Sequence, residues 1–179
     1  MIIEEVINCA YEYLGLNFST EKNFDTDILE YLLVFCTNIV LTEVAQEYLP
    51  LTDEKVVEAK GGVFSYSDLP KRVNKIVSVR DENGNKVSFR QRSSCCKTGK
   101  DGKLTVEYRY LPEAIGMGDE CDVDPAVSAK TLAFGVAAEY CMLRGMYDKS
   151  EGFAERFRQD MRACVRPAKS VEIKNRGWY

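Results

Sequence analysis

The chain has 179 residues, 45% hydrophobic and 29% charged, with a formal net charge of −4 and no histidine. That length suits one domain with a core, or one domain carrying an insertion. The mildly acidic balance disfavours sequence-independent DNA binding, whose affinity comes from Lys and Arg neutralising phosphates, and the missing imidazole removes Ser-His-Asp and Cys-His catalysis and the HExxH zinc site.

The opening Met1-Ile2-Ile3-Glu4-Glu5 has no basic stretch ahead of an apolar run, so no signal peptide is expected. Helical spacing of Ile3, Val6, Ile7, Ala10 and Leu14 predicts a first helix over 2–14, stopped by Gly15. A polar loop, 17–25, follows. A second helix is expected from Asp25 or Thr26 as N-cap to about Tyr48, with Pro50 ending it. Its Leu29, Leu32, Leu33, Cys36, Ile39, Val40 and Val44 span so wide an arc that it must be covered on more than one side. The apolar run 28–41 is broken by Glu30, Thr37 and Asn38 and is too short to span a bilayer, so it reads as a buried helix.

The period then changes. Val56-Val57, Gly61-Gly62 and Val63-Phe64 suggest a strand, a turn and a strand. Three half-buried antiparallel strands should follow: 73–80 with Val73, Val77 and Val79 on one side, 86–90 with Val87 and Phe89, and 104–110 with Leu104, Val106, Tyr108 and Tyr110. Parity decides the turn between the first two. A two-residue Asn83-Gly84 loop would pair Val79 with Ser88 and put the apolar sets on opposite faces. A three-residue loop of Glu82, Asn83 and Gly84 pairs Val79 with Val87 and Val77 with Phe89, with Gly84 left-handed in a G1 bulge. The three-residue loop is therefore expected. The stretch 91–103 reads as a long, mobile loop at a hairpin tip. Around it Arg90, Arg92, Lys97, Lys100 and Lys103 form the main basic cluster, either a solvated loop or one facing DNA or an acidic partner.

A turn-rich stretch, 112–122, returns the chain to helix. Asp124 as N-cap and Pro125 at the first helical position predict a central buried helix to about Arg144, stopped by Gly145. Asp148 with Glu151 resembles a capping box for a last helix, in which Phe153, Phe157 and Met161 make a narrow stripe. From Pro167 a tail runs to Tyr179 and holds the only Trp; it packs on its own domain or docks on another chain.

Seven cysteines, Cys9, Cys36, Cys95, Cys96, Cys121, Cys141 and Cys164, are odd in number, scattered and without a CxxC pair. They argue against a disulfide framework or a zinc ribbon and for buried or incidental thiols in a reducing compartment. Walker A is absent, and neither Gly61-Gly62 nor Gly116-Met117-Gly118 makes a dinucleotide fingerprint. Asp119, Glu120, Asp122 and Asp124 lack EF-hand spacing and read as an acidic turn. No nucleic-acid-binding module signature is present.

The order helix, helix, strands, helix, helix, tail resembles the head-to-tail adaptor proteins of tailed phages, both the podovirus tail tubular protein A (gatekeeper) type and the siphovirus connector-ring type. The resemblance rests on Asp68-Leu69-Pro70, the strand 73–79, Gly84 with Val87-Ser88-Phe89, the stretch 106–112, the helix 132–140, and Gly145-Met146-Tyr147-Asp148 with the stretch 153–157. The fold it implies is α+β: a four-helix bundle with an inserted antiparallel β-sheet region and an extended C-terminal tail. Its parts are N-terminal helices 1–50, β region 51–123, C-terminal helices 124–166 and arm 167–179.

The function implied is structural: a ring of typically twelve copies, docked on the portal between head and tail, enclosing DNA without binding it specifically. Sister copies, the portal and tail proteins would be its partners, with no membrane, cofactor, metal or catalysis. The place implied is the virion, after assembly in the host cytoplasm. Val171, Ile173, Arg176, Trp178 and Tyr179 are the candidate contacts to the portal or a neighbouring subunit. Fold alone does not license a function, and two alternatives stay open: another virion interaction or scaffold protein, or a regulatory DNA-binding protein.

Overall fold

The computed structural model describes residues 1–16 and 24–165. The described residues form four α-helices and two three-stranded antiparallel sheets. The C-terminal arm, with its five candidate contacts, and most of the first polar loop lie outside them.

Helix α1 (Ile3–Leu14) ends as its sequence predicts, at Gly15 in the left-handed conformation (φ 66°). Helix α2 (Phe24–Glu43) is already helical ahead of the expected cap at Asp25 or Thr26. It widens into a π-helical turn, Val44–Tyr48, before Pro50. Helix α3 (Ala129–Leu143) starts later than expected. Asp124 caps a turn instead, its carboxylate accepting the Ala126 N–H at 2.8 Å, and Ser128 is the true N-cap, accepting the Thr131 N–H at 3.1 Å. Helix α4 (Tyr147–Cys164) begins one residue before Asp148, so the expected Asp148–Glu151 capping box does not form.

The four helices are not a four-helix bundle. In a bundle each helix turns one apolar stripe to a shared axis. Here α3 is buried around most of its circumference, through Leu132, Ala133, Gly135, Val136, Ala137 and Cys141 among others. It serves as a hub on which α1, α2 and α4 all pack, with a lesser contact between α1 and α2. Small side chains make this possible. A Cβ on Gly135 would stand 2.9 Å from Val40 of α2 and 3.2 Å from Phe157 of α4. The Ser150 hydroxyl ties α4 to α3 by donating to the Ala138 carbonyl at 2.9 Å.

The strands are β1 (Leu51–Ala59), β2 (Val63–Ser65), β3 (Val73–Asp81), β4 (Phe89–Gln91), β5 (Cys95–Thr98) and β6 (Gly102–Tyr110). They pair in the orders β1-β6-β3 and β2-β5-β4, so the antiparallel β region consists of two sheets. Both sheets feed one apolar cluster that includes Phe64 and Cys96 from the second and Ile76, Val79, Leu104, Val106 and Tyr108 from the first. Along β6 Leu104, Val106, Tyr108 and Tyr110 alternate inward as predicted.

The β3 turn has the expected three-residue register: Arg80 bridges Lys86, the Val87 N–H donates to the Val79 carbonyl at 2.8 Å, and Gly84 has φ 78°. The register does not continue to a Val77–Phe89 pair. Phe89 opens β4 in the other sheet. Val77 sits at an irregularity between Ile76 and Ser78, which turns Ile76 inward and leaves Val77 41% exposed. The long loop expected over 91–103 is instead largely strand, β5 with the flanking ends of β4 and β6.

Candidate functional site

The five basic residues expected to share a loop are divided by these strands. Arg90 stands directly opposite Lys97 across the β4–β5 ladder, and the Arg92 N–H donates to the Cys95 carbonyl at 2.9 Å, which keeps the same register. Side chains two apart share a sheet face, so Arg90, Arg92 and Lys97 share the outward face of the second sheet, where all three are exposed. Lys100 is committed elsewhere. Its ammonium meets the Asp81 carboxylate at 2.8 Å, and the Asn83 and Asn85 N–H groups donate to that carboxylate at 2.9 Å each. These partners, Lys100 foremost, hold the Asp81 pKa down at about 2. Lys103 lies in the first sheet, opposite Glu58 of β1.

The thiols are placed for packing. All seven cysteines are free. Burial pushes the Cys36 thiol up to about 12 and raises Cys9, Cys96, Cys121, Cys141 and Cys164 as well. Raised thiols are poor nucleophiles and poor metal ligands, because both roles need the thiolate. Among the described residues no group of three His, Cys, Asp or Glu side chains is placed to hold a metal ion.

Where the strands meet the helical half, the Lys71 ammonium lies 3.9 Å over the Tyr110 ring and 3.9 Å from the Asp53 carboxylate. The Tyr110 hydroxyl donates to Asp122 at 2.9 Å, and the Tyr108 hydroxyl donates to Asp53 at 3.1 Å. The Tyr110–Asp122 bond fastens β6 to the stretch that leads into α3, and the other contacts tie β6 to β1 and Lys71. The same stretch is fastened to α2, because Asn38 donates to the Ile115 carbonyl and accepts its N–H, both at 2.9 Å.

Among the described residues the helical half leaves two surfaces that packing does not use up. The first is the outer side of α2. Ile28 (44% exposed), Tyr31 (71%) and Phe35 (46%) recur at spacings of three and four, which makes them one stripe. The opposite side of α2 puts Leu33, Cys36 and Val40 into the core. Asp27–Tyr48 is long and apolar enough to cross a membrane by length and composition. Helices buried within folded cores meet the same criterion, and this one is partly buried.

The second surface is a cleft of about 890 Å³ formed by α1, α3 and α4. Its floor is aromatic: Tyr13 stacks on Phe134 with ring centres 4.3 Å apart, and Phe134 is 6.5 Å from Phe153. Arg144, Lys149 and Arg156 stand around it, with Asp148. The Arg156 guanidinium lies 5.8 Å from the Phe134 ring centre and 3.3 Å from the Asp160 carboxylate. Met142, Leu143 and Tyr147, at the turn from α3 to α4, are each more than half exposed.

Sequence reasoning found the wide apolar arc of α2 but missed this cleft. Phe153 was visible as the first member of a stripe. Tyr13 and Phe134 come from two other helices, and only their meeting makes a floor. No protein-family model matches the chain, and no curated protein matches it as a relative.

Proposed function

We propose that this chain is a structural, ring-forming protein of the head-to-tail adaptor kind, placed in a tailed-phage virion between portal and tail and surrounding the DNA channel. The ordered set of segments that resembles those adaptors supports the reading, and so does the surface of α2, which is the observation that carries it. One side of that helix enters the core while the other offers Ile28, Tyr31 and Phe35 to solvent. Burying a large apolar side chain is worth roughly 1.5–3 kcal/mol, so a stripe of three is a strong incentive for contact with another chain. Twelve copies is the number the resemblance implies, and the portal contact is assigned to Val171, Ile173, Arg176, Trp178 and Tyr179 of the arm.

Native mass spectrometry and negative-stain imaging of the full chain, alone and with a portal protein, test this. The expected result is a closed assembly of many copies, reduced to single chains by Tyr31→Asp with Phe35→Asp at unchanged circular dichroism. A wild-type chain that keeps a single-chain mass at all concentrations and with portal present refutes it.

A further inference from the structure

We propose that the exposed stripe of α2 seats in the α1–α3–α4 cleft of the next copy, so that each chain is joined to its neighbour by two different surfaces. The proposal rests on the ring reading and names the contact that would build it.

The two surfaces match in shape class and in charge. The stripe is a helix presenting anchors at i, i+3 and i+7, the pattern by which a helix lies in an apolar groove. Tyr31 and Phe35 would meet the aromatic floor of Tyr13, Phe134 and Phe153. Helix α2 carries no Lys or Arg between Phe24 and Glu43, and the exposed Asp27, four residues before Tyr31, adjoins its stripe. The cleft carries the opposite sign in Arg144, Lys149 and Arg156, against Asp148 on the rim and Asp160 already paired to Arg156. Complementary potentials of this kind select a partner and fix its register.

The alternative self-contact, stripe against stripe, joins two helices that carry no Lys or Arg to meet Asp27. It would also stop at two chains. Among the described residues no α2 side chain lines the cleft, so one chain can use both surfaces at once. A head-to-tail contact leaves one free stripe and one free cleft after each addition, and it ends only when rotation closes the circle.

A charge exchange tests the pairing. One full-length variant carries Asp27→Lys, and another carries Arg144→Glu with Lys149→Glu. All three positions are exposed, and circular dichroism checks each fold; the single exchange Lys149→Glu repeats the second arm more mildly. In native mass spectra each variant alone should associate at least tenfold more weakly than wild type. An equimolar mixture should recover assembly with the two variants in equal numbers, since each basic stripe then meets an acidic cleft and each acidic stripe a basic one.

Wild-type assembly with either folded variant assembling as well as wild type, or with a mixture that stays single, overturns the pairing and leaves the ring reading intact. A wild type that stops at two chains also overturns the pairing. A wild type that never assembles removes both. Flotation of single wild-type chains with phosphatidylcholine vesicles would assign the stripe to lipid and overturn the proposal.

Discussion

The strand half and the helical half each enclose an apolar cluster, but they finish their surfaces differently. In the strands, period-2 alternation sends Leu104, Val106 and Tyr108 inward and Lys103, Thr105, Glu107 and Arg109 outward. Apolar exposure there is confined to scattered positions such as Val56 and Val77. In the helices, α3 takes up the core-facing sides of three neighbours, and α2 is left with a second apolar face that nothing among the described residues covers fully. Both halves are folded, but only one has a surface suited to water on every side. The helical half is therefore where contact with other chains should be sought.

The sharpest way to separate the halves is to hollow each core. Leu132→Ala, at the α3 hub, should cost about 3 kcal/mol, and Phe64→Ala, in the second sheet, about 4 kcal/mol. Urea unfolding followed by circular dichroism and tyrosine fluorescence should show one shared transition lowered by both, because Tyr110 and Asp122 fasten the halves together. Two transitions, each moved by only one variant, would make the halves independent folding units.

A smaller effect is expected at the clamp on the connecting stretch. Asn38→Ala removes a donor and an acceptor from Ile115 and leaves that backbone group partly buried and unpaired, at a cost of about 1–3 kcal/mol. An unchanged urea midpoint would show that the stretch is held without it.

The mildest test concerns acid. The Asp81 pKa is held at about 2 in the folded chain by Lys100 and the Asn83 and Asn85 N–H groups, below the ordinary aspartate value near 3.8. A carboxylate depressed by folding contributes stability that is fully present above the unfolded pKa and fades as pH falls through the folded one. The urea midpoint should therefore decline between about pH 4 and pH 2, and Asp81→Asn should flatten that part of the profile. A wild-type slope retained in Asp81→Asn would assign the acid sensitivity to other groups.

Much of this architecture was legible before any coordinates. Parity alone chose the three-residue turn after β3, because the alternative sends Val79 and Val87 to opposite faces, and the Val87-to-Val79 hydrogen bond matches that choice. The alternation of β6 and the Gly15 stop were equally plain. The failures have physical causes. Strands of three and four residues, such as β4 and β5, hold too little of a period to be distinguished from the polar turns around them. Asp124-Pro125 has the chemistry of a helix start but was used for a turn, four residues before Ser128 took that role. Helix patterns alone do not distinguish a closed bundle from a hub. An all-round apolar α3 says that it is surrounded, but not that its three neighbours pack on it as a hub rather than around a common axis. The cleft was hidden for a related reason, since its floor draws on Tyr13, Phe134 and Phe153 from three helices.

The two irregularities of β3, between Val73 and Lys75 and between Ile76 and Ser78, reach beyond the fate of Val77. β3 borders its sheet, and an unbroken border strand offers a row of free amides and carbonyls on which a foreign strand can crystallise. A border with two kinks in nine residues offers no such template. However densely copies of this chain are gathered, strand addition is hindered at this border, whereas the opposite border, β1, runs nine residues in unbroken register and has no such protection.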